Sequence, residues 1–285
     1  MIQLFQDIVN FPFLYRAFIA GILLSIAAGI IGTYIVARRL VFLTGGITHA
    51  SFGGIGIAYF AGINPIFGAF VFSILSAMGI EWTTTKGKLR EDSAIGILWS
   101  FGMAIGIIFI AITPGYAPNL MGYLFGSIVT VTSLDLITVC IVNLIVLLFF
   151  LRFYRWIIYS AFDPEFAKTQ RIPVGLINML MTILVAVTIV SGIRIVGIIL
   201  LLSLLTIPPS TANLFSRNFK TIAIASVILN MIGITIGLIL AYKMNIPSGA
   251  SVVFVQVILF ALAKLTTVIL DRFMEKTSLA QKRVQ

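Results

Sequence analysis

The sequence predicts an all-α fold, a polytopic integral membrane bundle of eight or nine transmembrane helices. Hydrophobic residues make up 60% of the 285 residues and charged residues only 10%, whereas a soluble domain of this size needs more charge to solvate its surface. Apolar stretches recur along the chain, and each has the roughly 17–25 residues that a helix needs to cross a bilayer core. Lipid offers no partner to backbone polar groups, and the stretches do not alternate as barrel strands do, so they are predicted to be helices.

Nine apolar segments follow one another in the sequence. They cover residues 13–37, 43–60, 64–81, 93–113, 133–151, 173–192, 195–215, 220–242 and 248–270. The second and third are rich in glycine and nearly contiguous, so a broken or re-entrant segment there, with eight full spans in total, is the alternative. Residues 113–132 are predicted to lie outside and to include a short interfacial helix. Residues 1–285 are predicted to form a single transmembrane domain.

Basic residues are distributed unevenly between the two sides of such a bundle. With nine spans and a cytoplasmic connection after the first, the basic residues inside are Arg38, Arg39, Lys86, Lys88, Arg90, Arg152, Arg155, Lys168, Arg171, Arg217, Lys220, Arg272, Lys276, Lys282 and Arg283. Those outside are Arg16, Arg194 and Lys243, and Lys264 falls within the last span. Cytoplasmic connections are enriched in Lys and Arg, so we expect a multi-pass cell-membrane protein with a cytoplasmic tail at about 271–285. Topology thus accounts for the net charge of +10, and no nucleic-acid partner is expected.

Residues 160–171 (SAFDPEFAKTQR) are predicted to form a cytoplasmic segment that begins as a short helix. Asp163 is placed to cap this helix, Pro164 suits its first turn, and Glu165 lies near its positive end. Polar side chains continue to the end of the segment.

This segment has two interpretations. It is either a solvated loop between two spans or a docking helix that binds a cytoplasmic partner. In the second case Phe162 and Phe166 provide apolar contact, and the charged residues of the segment provide polar contact.

Catalytic motifs are absent from the sequence. It contains no phosphate-binding loop of the Gly-x-x-x-x-Gly-Lys-Ser/Thr type and no Gly-x-Ser-x-Gly. One His and one Cys are too few for a zinc-enzyme site. A membrane enzyme is therefore disfavoured, and no permanently bound cofactor is expected. If transport here requires ATP, the nucleotide must bind to another polypeptide.

His49 lies within a predicted span, ten residues after Arg39. At 1.5 Å per residue it is about 15 Å deep, near the middle of the bilayer core. A polar side chain at that depth needs a partner or a cavity. His49 is therefore either hydrogen-bonded to a neighbouring helix or a ligand on a metal permeation path, since neutral imidazole suits zinc, manganese or iron. Thr48 and Ser51 flank it and offer hydroxyl oxygens.

Two consecutive prolines, Pro208 and Pro209, fall within another predicted span. Each removes a backbone donor, so the helix is expected to kink or unwind there. The freed carbonyls, together with Ser210 and Thr211, either line a pore or form a packing kink.

Together these stretches resemble the permease subunits of the ABC importers for zinc, manganese and iron, the ABC-3 family. The motifs that carry the resemblance are GTYIVARRLVFL at 32–43 leading to Thr48-His49-Ala50, LFGSIVTVT at 124–132, FDPEFA at 162–167, VGIIL at 196–200, IPPSTA at 207–212 and PSGA at 247–250. They cover nearly the whole chain in the family's order. The resemblance implies a homodimeric bundle embedded in membrane lipid, docked on two copies of an ABC ATPase subunit and supplied by an extracytoplasmic metal-binding protein.

The resemblance also implies roles for particular residues. His49 matches the histidine of the family's metal conduit. The segment from Asp163 to Ala167 matches the start of the family's coupling helix. The family usually has Asp four residues before the histidine, where this chain has Gly45. This departure leaves two alternatives: His49 pairs with its twin across a homodimer axis, or the substrate differs from the usual ions.

The function expected from these features is that of a permease subunit that passes a divalent transition metal, with ATP hydrolysed by a separate subunit. The alternative is an ion-coupled secondary transporter that needs no ATPase. Such a transporter typically uses carboxylates within its spans, and the predicted spans contain almost none.

Overall fold

The chain folds into a bundle of long helices, and the part that the structure describes contains no β-strand. The computed structural model describes residues 11–114 and 131–282, except the side chains of residues 271 and 273–282. The helices are α1 (Pro12–Ala37), α2 (Val41–Phe60), α3 (Pro65–Thr85), α4 (Glu91–Ala111), α5 (Ser133–Phe162), α6 (Pro164–Thr169), α7 (Val174–Ala212), α8 (Phe219–Met244) and α9 (Ser248–Lys282). The predicted all-α membrane fold is confirmed. The predicted interfacial helix falls on 115–130, outside the described residues.

Within the described ranges, eight helices are long and apolar enough to cross a membrane. α2 and α3, where a re-entrant segment was the alternative, are separate helices of 20 and 21 residues. The apolar windows of α2 and α7 are 72% and 78% buried, whereas those of α3, α4, α5 and α9 are 28% buried or less. α2 and α7 therefore form the centre of the bundle, and the outer helices present exposed apolar surface that suits lipid.

α7 is a helical stretch of 39 residues, about 58 Å long if it were straight. Gly197 interrupts it with φ 77° and ψ 173°, a conformation that favours glycine. A Cβ atom at Gly192 would lie 2.5 Å from Leu201 Cδ1, although residues nine apart in a straight helix are separated by about 13.5 Å. The chain therefore folds back at Gly197, and α7 consists of two arms, residues 174–196 and 198–212.

The two arms of α7 run in opposite directions through the bundle. The first arm begins next to α6, and Arg194 near its end pairs with Asp135 at the start of α5, at the bundle end opposite to α6. The second arm returns toward α6, because Leu205 packs against Gly32 near the end of α1. The sixth and seventh predicted segments correspond to these arms, so each of the nine predicted segments has a helix or an arm in the structure.

Capping residues mark several of the helix starts. The Asn64 side chain accepts a hydrogen bond from the Ile66 N–H ahead of α3. Thr132 and Asp135 form a reciprocal capping box at the start of α5. Such caps satisfy backbone donors that the first helical turn leaves unpaired.

Close contact between α2 and α4 holds the centre together. A Cβ atom at Gly102 would lie 2.6 Å from Ala50 Cα, and one at Gly106 would lie 2.6 Å from Phe52 O. Larger residues at these two positions would separate the helices, so the glycines permit the approach. The resulting register places the middle of α2, which contains His49, against α4.

Candidate functional site

His49 lies midway along α2 and is stacked on Trp99 of α4. The ring centroids are 4.4 Å apart and the ring planes differ by 5°. Nδ1 of His49 is buried and has no hydrogen-bond partner among the described residues. The indole therefore fixes the plane of the imidazole. One interpretation of His49 was a hydrogen bond to a neighbouring helix, and its Nδ1 atom does not form one with any described residue.

Thr48 and Ser51 are buried, and both hydroxyl groups donate to the backbone of their own helix. Thr48 Oγ1 donates to Thr44 O, and Ser51 Oγ donates to Thr48 O at 2.6 Å. Residues two apart in a helix do not share a face, and Ser51 instead lines a small cavity of about 20 Å³ together with Val190 and Arg194. Ser51 and His49 are therefore directed to different neighbours.

Gly45 lies one helical turn before His49, and Trp99 lies next to it as well. A Cβ atom at Gly45 would be 3.5 Å from Trp99 Cζ3, which is an ordinary van der Waals contact. Trp99 thus covers both His49 and Gly45. Trp99 could not be identified from the sequence, because the face of α4 that meets α2 is determined by the packing of the two helices.

The predicted docking segment contains the short helix α6, capped as expected. The Asp163 carboxylate accepts a hydrogen bond from Phe166 N at 2.9 Å, and Pro164 is in the first turn. Phe162 is 59% exposed and Phe166 is 42% exposed, whereas Ala167 is fully buried.

Polar contacts within α6 remain at its surface. Glu165 and Lys168 form an exposed ion pair at 2.8 Å, and the Phe166 ring meets Tyr159 edge-on at 5.3 Å. Ala167 therefore anchors α6 to the bundle, and residues 162–168 present Phe162, Phe166 and a pair of charges outward.

Arg38 connects the turn between α1 and α2 to the end of α5. Its Nη1 atom donates to Ser160 O at 3.4 Å and to Ala161 O at 3.2 Å. These carbonyls belong to the last turn of α5, immediately before α6. A cation there also interacts favourably with the negative end of the helix. The sequence shows Arg38 only as one of many basic residues, and its partners are more than a hundred positions away.

The proline pair in the second arm of α7 is buried, and one of the two carbonyls that it frees accepts a hydrogen bond from another helix. Pro208 leaves Leu204 O without a helical donor, and Asn230 Nδ2 of α8 donates to this oxygen at 3.2 Å. Leu205 O, freed by Pro209, faces Gly32 of α1.

The hydroxyl residues that follow the prolines differ in their surroundings. Thr211 Oγ1 donates to Ile207 O at 2.8 Å and is buried, whereas Ser210 is half-buried. The structure thus uses the freed carbonyls for helix packing, and pore lining by these residues stays a prediction.

Nowhere in the described ranges do three or more His, Cys, Asp or Glu side chains form a group that could hold a metal ion. An ion at His49 would therefore meet few protein ligands from one subunit.

The fold and these features define a multi-pass helical membrane protein with a histidine inside the bundle and a capped, partly apolar helix at one end. The chain belongs to the ABC 3 transport family, whose pattern matches residues 10–267.

Individual relatives cover most of the chain. It is 35% identical over 263 residues to an uncharacterized membrane protein of Synechocystis sp., covering 92% of this chain and 94% of that protein. The chain is 33% identical over 259 residues to the manganese transport system membrane protein MntC of Halalkalibacterium halodurans. This alignment covers 91% of this chain and 89% of that protein. A chain in the structure of PsaBC from Streptococcus pneumoniae in complex with Fab aligns with this chain with a TM-score of 0.81 and 29% identity. The alignment covers 92% of this chain and 95% of that chain.

Proposed function

We propose that this chain is the membrane-spanning permease subunit of an ATP-driven ABC importer for a divalent transition metal. The observation that carries the proposal is the family match over residues 10–267, which includes both the helix with His49 and the segment with α6. A curated relative with 33% identity is named for manganese transport, so manganese is the first ion to assay, followed by zinc and iron. The metal is the transported substrate and is bound only in passage.

The chain works with a separate ATPase that binds ATP, and α6 is the surface on which this subunit docks. The coupling residues are Phe162, Asp163, Pro164, Glu165, Phe166 and Ala167. The exposure of the two phenylalanines, beside an exposed ion pair, supports this assignment because an apolar anchor surrounded by polar groups is typical of interfaces. Two ATPase copies serve a homodimer of the permease, and an extracytoplasmic metal-binding protein delivers the ion.

His49 is the metal ligand of the pathway, with Thr48 and Ser51 nearby and the segment Pro208, Pro209, Ser210 and Thr211 lining it further along. The unpartnered Nδ1 atom of His49 supports this role, since a neutral imidazole nitrogen is a good ligand for these metals. In a homodimer, the His49 side chains of both copies would supply two nitrogens where one subunit supplies one.

The chain lies in the cell membrane with its C-terminal tail in the cytoplasm. The enrichment of Lys and Arg at the end of the bundle that contains α6 supports this orientation.

Reconstitution into liposomes tests the proposal. Uptake of radioactive manganese by the chain with its ATPase should require ATP, and the ATPase should co-purify with the chain. Glu165→Ala with Phe166→Ala should abolish co-purification, whereas Phe254→Ala, at a position 62% exposed on α9, should not. Ion-driven uptake without any ATPase would instead establish a secondary transporter.

A further inference from the structure

A groove of about 680 Å³ opens on the outer surface of the bundle between α5 and α8. One wall contains Leu147 and Leu151 of α5, the other contains Ile224 of α8, and Ile30 of α1 forms part of the floor. Leu151 and Ile224 are 71% and 63% exposed. These exposed aliphatic side chains lie on helices that cross the membrane, so this part of the groove faces lipid tails.

Three cations line one end of the same groove: Arg152, Arg155 and Lys220. Arg152 lies over the Phe153 ring at 5.2 Å, and Lys220 Nζ lies over the Tyr154 ring at 4.8 Å. No acidic residue is among the described residues that line the groove, and in the described part of the chain none of the three cations forms a salt bridge. The groove therefore holds positive charge that is not neutralised by the protein.

The cations lie at one membrane interface. Arg152 is 19 residues beyond Ser133 at the start of α5, a rise of about 28 Å, which is close to the thickness of a bilayer core. Lys220 is in the first turn of α8 and reaches the same level. α5 departs from helical geometry at Phe153, with φ −114° and ψ 17°, directly beside this basic end of the groove.

We infer that the groove is a binding site for an anionic phospholipid. Arg152, Arg155 and Lys220 hold the phosphate of the head group, and an acyl chain lies along Leu147, Leu151 and Ile224. Two features match this occupant: the groove is basic at the interface and apolar toward the bilayer core, and its positive charge is complementary to an anionic head group. Basic pockets on the cytoplasmic side of transmembrane helices are known to select such lipids. The inference requires membrane insertion but not the proposed transport activity.

Native mass spectrometry of the full-length chain in detergent tests the site, with phosphatidylglycerol and phosphatidylcholine of matched acyl chains as probes. The wild-type chain should retain phosphatidylglycerol in preference to phosphatidylcholine. Arg152→Gln, Arg155→Gln and Lys220→Gln combined should lower this preference by about tenfold or more, since each basic group near the surface contributes roughly a fivefold factor. The matched control, Lys86→Gln, Lys88→Gln and Arg90→Gln combined, removes the same charge elsewhere at this interface and should leave the preference unchanged.

A second variant tests the apolar part without changing charge. Ala223→Phe places a ring in the groove and should reduce phosphatidylglycerol retention even if the triple variant fails to fold. Equal loss of preference in the Lys86 control, or retention of inorganic phosphate by a wild-type chain that shows no preference between the two lipids, would overturn the inference. A triple variant that keeps its lipid but no longer forms dimers would likewise overturn it and would assign the groove to a second copy of the chain.

Discussion

The imidazole of His49 lies parallel to the indole of Trp99, with ring centroids 4.4 Å apart. The two residues are on different helices, α2 and α4, and their stacking depends on the close glycine-mediated approach of these helices. A stacked histidine loses rotational freedom, so its free nitrogen is held in a fixed direction. We therefore expect Trp99 to act as a positioning residue for the proposed metal ligand.

Trp99→Ala should raise the KM for metal uptake by roughly 2- to 10-fold, because an aromatic pair contributes about 0.5–1.5 kcal/mol beyond its buried area. Trp99→Phe should retain most of the uptake. Manganese uptake in liposomes containing the permease and its ATPase measures both values. The control is Trp82→Ala, because Trp82 is 61% exposed; an equal effect there would exclude a specific role for the stack.

His49→Ala should abolish metal uptake while leaving the ATPase bound, because α6 is distant from the middle of α2. Uptake and co-purification are measured on the same preparation. His49→Gln keeps a polar group of similar reach and should also lose uptake if an imidazole nitrogen is the ligand. Normal uptake by His49→Ala would remove this residue from the mechanism.

Gly45→Asp should fold and should lower the KM for the metal, since Asp and His one turn apart on a helix can both meet one cation. The structure leaves space for a Cβ atom at Gly45, at 3.5 Å from Trp99. Gly46→Asp is the matched comparison, because a side chain there would collide with the buried Ile95 and should reduce the yield of folded protein. The prediction fails if both variants lose folded yield equally.

Arg38→Gln should reduce the metal transported per ATP hydrolysed by several-fold, while docking of the ATPase is preserved. The substitution removes the hydrogen bonds to Ser160 O and Ala161 O, which connect the end of α5 to the turn that precedes the helix with His49. Transport and hydrolysis are measured together in liposomes. Arg39→Gln, at the exposed neighbouring position, should leave the ratio unchanged.

Asn230→Leu should destabilise the bundle, because Leu204 O would lose its only side-chain donor in the described part of the chain. Interhelical hydrogen bonds in membrane proteins contribute about 0.6–1.7 kcal/mol, so a loss of that size is expected in unfolding by denaturing detergent. Ile228→Leu, at a 51% exposed position on the same helix, provides the comparison and should have little effect.

Much of the fold could be predicted from the sequence, since most of the apolar segments form helices long enough to cross the membrane on their own. The sequence also predicts a boundary between the segments 173–192 and 195–215, and the structure places the reversal a few residues later, at Gly197. The cap of α6 was also predictable, because Asp163 and Pro164 act on their own helix.

The contacts around the candidate site could not be predicted in the same way. Trp99 and Arg38 act on residues of other helices, and those pairings depend on helix rotation and packing. Apolar residues surround every face of these segments, so the sequence gives no periodic signal for which face meets which neighbour. Asn230 is an exception in principle, because a carboxamide within a span needs a partner, and a carbonyl freed by proline is an available one.

The reversal at Gly197 affects how the chain enters the membrane during synthesis. The second arm of α7, residues 198–212, is only about 22 Å long and contains two adjacent prolines, so it is a poor candidate for release from the translocon on its own. Its Leu204 carbonyl is satisfied only after Asn230 of α8 has been made. We therefore expect the insertion machinery to hold both arms until α8 emerges, so that these three segments leave together as one unit.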